Sequence, residues 1–225
     1  DHLRVLEDWL TSYQLSSGPY RAQVGEDGSR RRMSEPPVPP MRGVTQDINI
    51  IPLSATRRTI ARRLTEAKQL IPHFYLRQDF ELDELLHHRK KLNVLSSVNV
   101  SINDLMVWSV AQALKREPRV NVNLVGEEIH QFHKANISVA IATDSGLYPA
   151  TVYNADSLSP EEIAIARADL TIKAQNGSLS KEDLSGGSFT VSNLGMFGTS
   201  QFTAIINPPN GCHFSLRQGI TTSHC

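Results

Sequence analysis

The chain predicts an α/β fold, a mixed sheet packed by helices. Two observations carry this: segments of helical spacing bounded by cap residues, and short runs of strand-like alternation set between them. A third shapes it: the segments do not follow a strict strand–helix–strand rhythm, so the sheet is expected to be mixed rather than purely parallel. With 225 residues, 40% of them hydrophobic and 20% charged, the chain has the material for one substantial packed core.

The opening "DHLRVLEDWLTSYQ" has Leu3, Leu6, Trp9 and Leu10 at the spacing of a short amphipathic helix. Next comes "LSSGPYRAQVGEDGSRRRMSEPPVPPMRG", whose Gly, Ser, Pro and charge predict a linker. Its "EPPVPP" favours an extended, semi-rigid spacer. These form an N-terminal segment over residues 1–46, and a folded body follows from residue 47.

Residues 54–70 predict a helix with Ser54 as N-cap. Ile60, Ala61, Leu64 and Ala67 share one face, Arg57, Arg58, Arg62 and Arg63 fill the rest, and Pro72 ends it. Residues 73–82 alternate like a half-buried strand, and "LDELLHHRKKLN" returns to helical spacing. The clearest helix is "SINDLMVWSVAQALKREP", capped by Ser101 or Asn103, apolar at Ile102, Leu105, Met106, Val110 and Ala113, and closed by Pro118. Residues 136–143 and 147–154 predict strands. A helix over 159–177 starts at Ser159 with Pro160 in its first turn and stops at Gly177. "GSFTVSN" and "QFTAIIN" predict two more strands.

The formal net charge is zero, which argues against a general nucleic-acid binder, because phosphate neutralisation needs excess Lys and Arg. No apolar run is long enough to span a membrane, and the opening residues lack the pattern of a secretory leader. The only cysteines are Cys212 and Cys225, so a disulfide framework is not expected and a reducing compartment fits.

Eight histidines are the first candidates for acid–base chemistry. His87 and His88 adjoin Arg89, Lys90 and Lys91 and belong on a solvated helix face. His130 and His133 have no third ligand near them in sequence, so no metal site is expected. His73, at a strand entrance after Pro72, predicts a packed or hydrogen-bonded side chain. "SNLGMFG" matches neither a phosphate-binding loop nor a nucleophile elbow. On spacing alone Gly195 and Gly198 turn the chain and Ser192 bonds to backbone. The arginine-rich helix is compatible with phosphates, an acidic partner or plain solvation.

Four stretches occur in order and at the approximate spacing of one family: "IPLSATRRTIARRLTEAKQLIPHFYL", "VSINDLMVWSVAQALKREPRVN", "NISVAIATDSGLYPATVYNAD" and "LSGGSFTVSNLGMFGTSQFTAIINPP". From about Ile48 to Pro209 the chain resembles the catalytic domain of dihydrolipoamide acyltransferases, the core component of 2-oxoacid dehydrogenase complexes. "PHFYL" and "FGTSQFTAIINPP" resemble most the acetyl-transferring, pyruvate branch. The resemblance implies a fold similar to chloramphenicol acetyltransferase, assembled as homotrimers and then as larger hollow cores. It implies acyl transfer between a dihydrolipoyl thiol and coenzyme A, the lipoyl group being carried on a separate domain. The implied partners are the decarboxylase and dihydrolipoamide dehydrogenase components, in the bacterial cytoplasm or the mitochondrial matrix. Ser192 matches the family serine that stabilises the oxyanion of the tetrahedral intermediate. Arg57 and Arg58 match the basic start of the family's first core helix, implying proximity to coenzyme phosphates or to another subunit.

The chain also departs from the family. The family's general base is a histidine in a C-terminal "DHR…DG" motif, supplied by a neighbouring subunit, and no such motif occurs here. Residues 211–225, "GCHFSLRQGITTSHC", stand where an apolar strand is expected and read as an atypical, polar, unpatterned tail, as if truncated or out of frame. His213 and His224 have no matching context, and Asp1–His2 is no substitute. A missing strand would leave ladder groups unpaired. Trp108 replaces a usual lysine, and Pro149 is shifted by one place. Neither a lipoyl domain nor a partner-binding domain is recognisable in residues 1–46. The expectation is a partial catalytic domain over 47–210 with impaired transfer. The alternative is a non-catalytic core-assembly or partner-binding subunit. An antibiotic acetyltransferase of the same fold fits less well, since those enzymes also need the C-terminal histidine.

Overall fold

A computed structural model describes residues 49–144 and 146–217. The helix and linker expected over 1–46 lie outside the described residues. Four helices and three strands of the expectation are found close to their predicted places, and the mixed α/β architecture is as expected.

Helix α1 spans Ala55–Leu70, and the Ser54 hydroxyl accepts the Arg57 N–H at 3.2 Å. Helix α2 spans Asp83–Leu95 and lacks a side-chain cap. Helix α3, Ile102–Arg116, starts with a capping box: Ser101 Oγ accepts the Asp104 N–H while Asp104 accepts the Ser101 N–H at 2.8 Å. Of the two expected caps, Ser101 is the one used, because its hydroxyl lies three residues before an acceptor side chain. Helix α4, Pro160–Gln175, repeats the device with Ser159 and Glu162. Such a cap contributes about 1 kcal/mol.

A hairpin that sequence reasoning did not anticipate, β1 (Val122–Val125) and β2 (Glu128–Gln131), turns at Gly126, whose φ of +63° favours glycine. The main sheet contains β3 (Ile137–Thr143), β4 (Gly146–Val152), β5 (Phe189–Asn193) and β6 (His213–Leu216), in the order β4-β3-β5-β6. The β3–β4 pair is antiparallel, while β3–β5 and β5–β6 are parallel. The sheet is therefore mixed. Ile137, Val139, Ala150, Val152, Phe189 and Val191 meet Val107, Ala111 and Leu114 of α3 and Ile163 and Leu170 of α4 in one core.

A charged strut sits in this layer. Asp104 is fully buried, and Arg167 of α4 donates to it through Nε at 2.5 Å and through a second guanidinium nitrogen at 3.3 Å. Removing Arg167 leaves the buried Asp104 charge with only the Ser101 N–H and hydroxyl as donors and no counter-charge, typically costing about 3–5 kcal/mol.

Two expected strands do not form. Residues 73–82 are extended but carry no ladder, and Phe74 and Leu76 are 81% and 89% exposed. Residues 201–207 are likewise not in a strand. Alternation predicts which side chains share a face, but a strand also needs a neighbouring backbone to pair with. The tail is corrected in the opposite sense. Residues 213–216, read as unpatterned, form β6 and pair with β5, so the sheet extends beyond residue 210.

Candidate functional site

Ser192 lies near the C-terminal end of β5. Phe189 and Val191 point into the core, so period-two alternation turns Thr190 and Ser192 to the opposite face. Past Ser192 the chain must leave the sheet. The Asn193 side chain accepts the Gly195 N–H at 2.8 Å, a single 3₁₀ turn follows over Gly195–Phe197, and Gly198 takes a left-handed φ of +69°. The glycine-punctuated motif is a strand-exit turn, and Ser192 is left half-buried at its mouth.

β6 supplies the residue that sequence reasoning missed. Cys212 and Phe214 pack against the core, which places His213 and Ser215 on the same face as Ser192. In the parallel register Thr190 pairs with His213 and Ser192 with Ser215, so His213 reaches one step along the sheet toward Ser192. Ser192 Oγ and His213 Nε2 are 2.8 Å apart. The signal was present: Cys212, Phe214 and Leu216 alternate with His213, Ser215 and Arg217. His213 thus gains a partner through the fold, although no family histidine motif surrounds it.

The position of β6 is set by Asn210. Its amide donates to the Gly187 carbonyl at 2.7 Å and to Asn123 Oδ1 at 3.1 Å, and its oxygen accepts from Thr190 Oγ1 at 2.8 Å. Pro209 and Gly211 are tied to the backbone of β1 by hydrogen bonds of 3.1 and 2.9 Å. Buried polar groups that are all paired hold a chain segment in one place. Beyond the strand, Arg217 donates to Asp79 at 2.6 Å and to the Ser200 carbonyl at 3.0 Å.

The hydrogen bonds assign the tautomers. His213 Nδ1 lies 2.9 Å from the Ile205 carbonyl, which can only accept, so Nδ1 carries the proton. Nε2 then offers a lone pair, and the Ser192 hydroxyl donates to it. Burial pushes the His213 pKa below its ordinary value, opposed by the bond to Ile205, so the ring is neutral at pH 7. His73 fixes the same loop. The Ile206 N–H donates to His73 Nε2 at 3.0 Å, and His73 Nδ1 donates to the Ile71 carbonyl at 2.7 Å. The hydrogen-bonded role expected for His73 is the one found.

Arg57 and Arg58 occupy the first turn of α1, exposed, and the Arg58 guanidinium donates to the Leu53 carbonyl at 2.7 Å. Neither has a described hydrogen bond to Ser192 or His213. His87, His88, His130 and His133 are exposed, and His130 sits 3.2 Å from Glu128. Among the described residues no cluster of three potential metal ligands occurs, and no helix is long and apolar enough to cross a membrane. Trp108 lines a shallow groove of about 550 Å³ with Ser109, Gln112, Ala113 and Arg116.

Residues 45–220 match the family described as 2-oxoacid dehydrogenases acyltransferase (catalytic domain). The chain is 41% identical over 174 residues to the dihydrolipoyllysine-residue acetyltransferase component of the pyruvate dehydrogenase complex of Zymomonas mobilis, covering 76% of this chain and 40% of that protein. It is 40% identical over 197 residues to the mitochondrial pyruvate dehydrogenase protein X component of Mus musculus, covering 88% of this chain and 39% of that one. The cubic core of the pyruvate dehydrogenase multienzyme complex superposes with a TM-score of 0.73 at 26% identity, covering 78% of this chain and 74% of that one. The chain therefore spans about 40% of the length of the curated relatives it matches. A mixed sheet closed by parallel β5–β6, a serine at the end of β5, and a family match over residues 45–220 agree with one another, and the chain belongs to the 2-oxoacid dehydrogenase acyltransferase family.

Proposed function

We propose that this chain contributes to acyl transfer between a dihydrolipoyl thiol and coenzyme A in a 2-oxoacid dehydrogenase complex, with acetyl as the acyl group. Ser192 is the oxyanion donor. The observation that supports this is its place: a half-buried hydroxyl at the exit of a strand whose motif the family shares. When a thiolate attacks a thioester, charge collects on the carbonyl oxygen, and a fixed donor at that point contributes about 2.7–4 kcal/mol. Arg57 and Arg58, exposed on α1, are available to coenzyme phosphates. The lipoyl group arrives on a separate domain, and the decarboxylase and dihydrolipoamide dehydrogenase are the partners. Exposed Leu70, Phe74, Leu76, Phe80, Met196 and Phe197 support burial against further copies, in a trimer and a larger core.

Transfer also needs a base for the attacking thiol, mostly protonated near pH 7. In the family that base is a histidine supplied by a neighbouring subunit, and in this reading a complete neighbouring subunit supplies it to Ser192. The second reading, a non-catalytic subunit of such a complex, is favoured by the similarity to a protein X component. The test is dihydrolipoamide-dependent acetyl transfer from acetyl-coenzyme A, with the chain alone and co-assembled with a complete family subunit whose own serine is replaced by alanine. Transfer only in the mixture, lost again with Ser192→Ala, is the expected result. Transfer absent from a confirmed mixed oligomer selects the non-catalytic reading.

A further inference from the structure

The contact between Ser192 and His213 has the geometry of a nucleophile with its base. Such a pair requires three things: a hydroxyl within hydrogen-bond reach of an imidazole nitrogen, that nitrogen unprotonated, and a third group holding the ring. The first is the 2.8 Å Oγ–Nε2 contact. The second follows from the Nδ1–H bond to the Ile205 carbonyl at 2.9 Å, which leaves the lone pair on Nε2. The third is that same carbonyl. It is not loose, because the next amide, Ile206 N–H, is held by His73, itself anchored on Ile71 just past α1. Both Ser192 and His213 remain partly exposed, so a small acyl donor can approach.

We propose that Ser192 and His213 act as a nucleophile–base dyad that takes an acyl group from an activated ester or thioester onto Ser192 Oγ and releases it to water. In the first step the Oγ–H proton passes to His213 Nε2 as Oγ bonds to the acyl carbon. The carbon–sulfur bond then breaks, and the thiolate leaves with the proton from Nε2–H. In the second step water gives a proton to Nε2 and attacks the acyl-serine. The Oγ–carbon bond breaks, and the proton returns to Oγ with release of the carboxylic acid. No oxidant, metal or further reactant is required. A carbonyl stands where hydrolytic triads place a carboxylate, so the imidazolium is stabilised less, and slow acylation with accumulation of acyl-serine is expected.

The dyad does not depend on the proposed acyl-transfer function, but the choice of thioester does, so the test uses two donors. The full chain is incubated with p-nitrophenyl acetate, which needs no coenzyme recognition, and in parallel with acetyl-coenzyme A. Adducts are located by intact mass and peptide mapping. With p-nitrophenyl acetate, one acetyl group is expected on the Ser192 peptide. Ser192→Ala abolishes it, and His213→Leu slows it about 100-fold, the usual contribution of a positioned base. The labelling rate of the unmodified chain rises with pH as His213 loses its proton. A folded chain without acetyl on Ser192 overturns the proposal, as does undiminished labelling in His213→Leu. If His213→Leu does not fold, His213→Gln, which keeps a polar side chain but supplies no base, decides: undiminished labelling of Ser192 in that variant overturns it. Labelling by the ester but not by acetyl-coenzyme A upholds the dyad and overturns the thioester as its donor, while the acyl-transfer function, in which Ser192 is not acylated, is decided by its own mixed-oligomer assay.

Discussion

His213 makes folding stability depend on pH in a direction its surroundings fix. Burial holds its pKa in the folded chain below the ordinary histidine value, about 6.5. Above that value the ring is neutral in both states and contributes no pH dependence. As pH falls below it, the unfolded chain takes up a proton that the folded chain still refuses, and stability is lost until pH passes the folded pKa. One proton limits the slope to about 1.4 kcal/mol per pH unit. The assay is urea unfolding of the unmodified chain and of His213→Leu at intervals from pH 7.5 to 5, followed by tryptophan fluorescence; Trp108 on α3 is a reporter 36% exposed. The other histidines are common to both proteins, so the difference between the two curves isolates His213. The gap between the two is expected to move against the unmodified chain as the pH drops through the window. Parallel curves would refute the argument, because they would mean that His213 titrates alike in the folded and unfolded chains.

Three further outcomes follow from the packing. Arg167→Met leaves the buried Asp104 carboxylate without its guanidinium and is expected to cost about 3–5 kcal/mol in chemical denaturation, part of it recovered when Asp104→Asn also removes the charge but keeps an oxygen for the Ser101 N–H. A Cβ at Gly187 would lie 2.0 Å from Ser138 Oγ, which bonds Thr151 Oγ1 at 3.1 Å, so Gly187→Ala is expected to destabilise by about 1–3 kcal/mol. Adding Ser138→Ala removes the clashing oxygen, and a double variant no more stable than Gly187→Ala would sink this account. Asn210→Leu orphans Thr190, Asn123 and the Gly187 carbonyl at about 1–3 kcal/mol each, and loosens the entry to β6. The half-buried Cys212 thiol, whose pKa burial raises, should then react faster with a disulfide reagent than in the unmodified chain.

The helices were legible because their signals are local. Ser101 with Asp104 and Ser159 with Glu162 announce two helix starts within four residues of sequence, and both capping boxes are formed. Ser192 was legible as a residue at a strand exit, since "FTVSN" and the two glycines lie side by side. The strands at 73–82 and 201–207 were misread because alternation says nothing about the partner backbone. His213 was missed for a different reason. Its strand alternates properly, but the outward positions are His213, Ser215 and Arg217, and so much polarity hid the apolar half, Cys212, Phe214 and Leu216. The Ser192–His213 contact is also not local: it exists only because β5 and β6 pair parallel in one register. A shift of one residue would turn His213 into the core.

A serine hydroxyl has one proton, and that limits what Ser192 can do. As an oxyanion donor it must point that proton at the acyl oxygen. While His213 is neutral, the same proton is held by Nε2, and Ser192 is set for attack. Protonating His213 reverses the contact. Nδ1–H keeps the Ile205 carbonyl, Nε2–H donates to Ser192 Oγ, and the hydroxyl proton is released toward an oxyanion. Acid therefore favours stabilisation of the tetrahedral intermediate, and neutral pH favours the nucleophile. A thiol attacking a thioester has the opposite need, because its thiolate form grows with pH. The two requirements of acyl transfer thus pull against each other around His213, whereas an apolar residue at that position leaves the Ser192 proton free at every pH. Replacing His213 with leucine should in consequence suppress acylation of Ser192 while raising Ser192-dependent transfer in the mixed oligomer. A dyad that served transfer itself would lose both activities together.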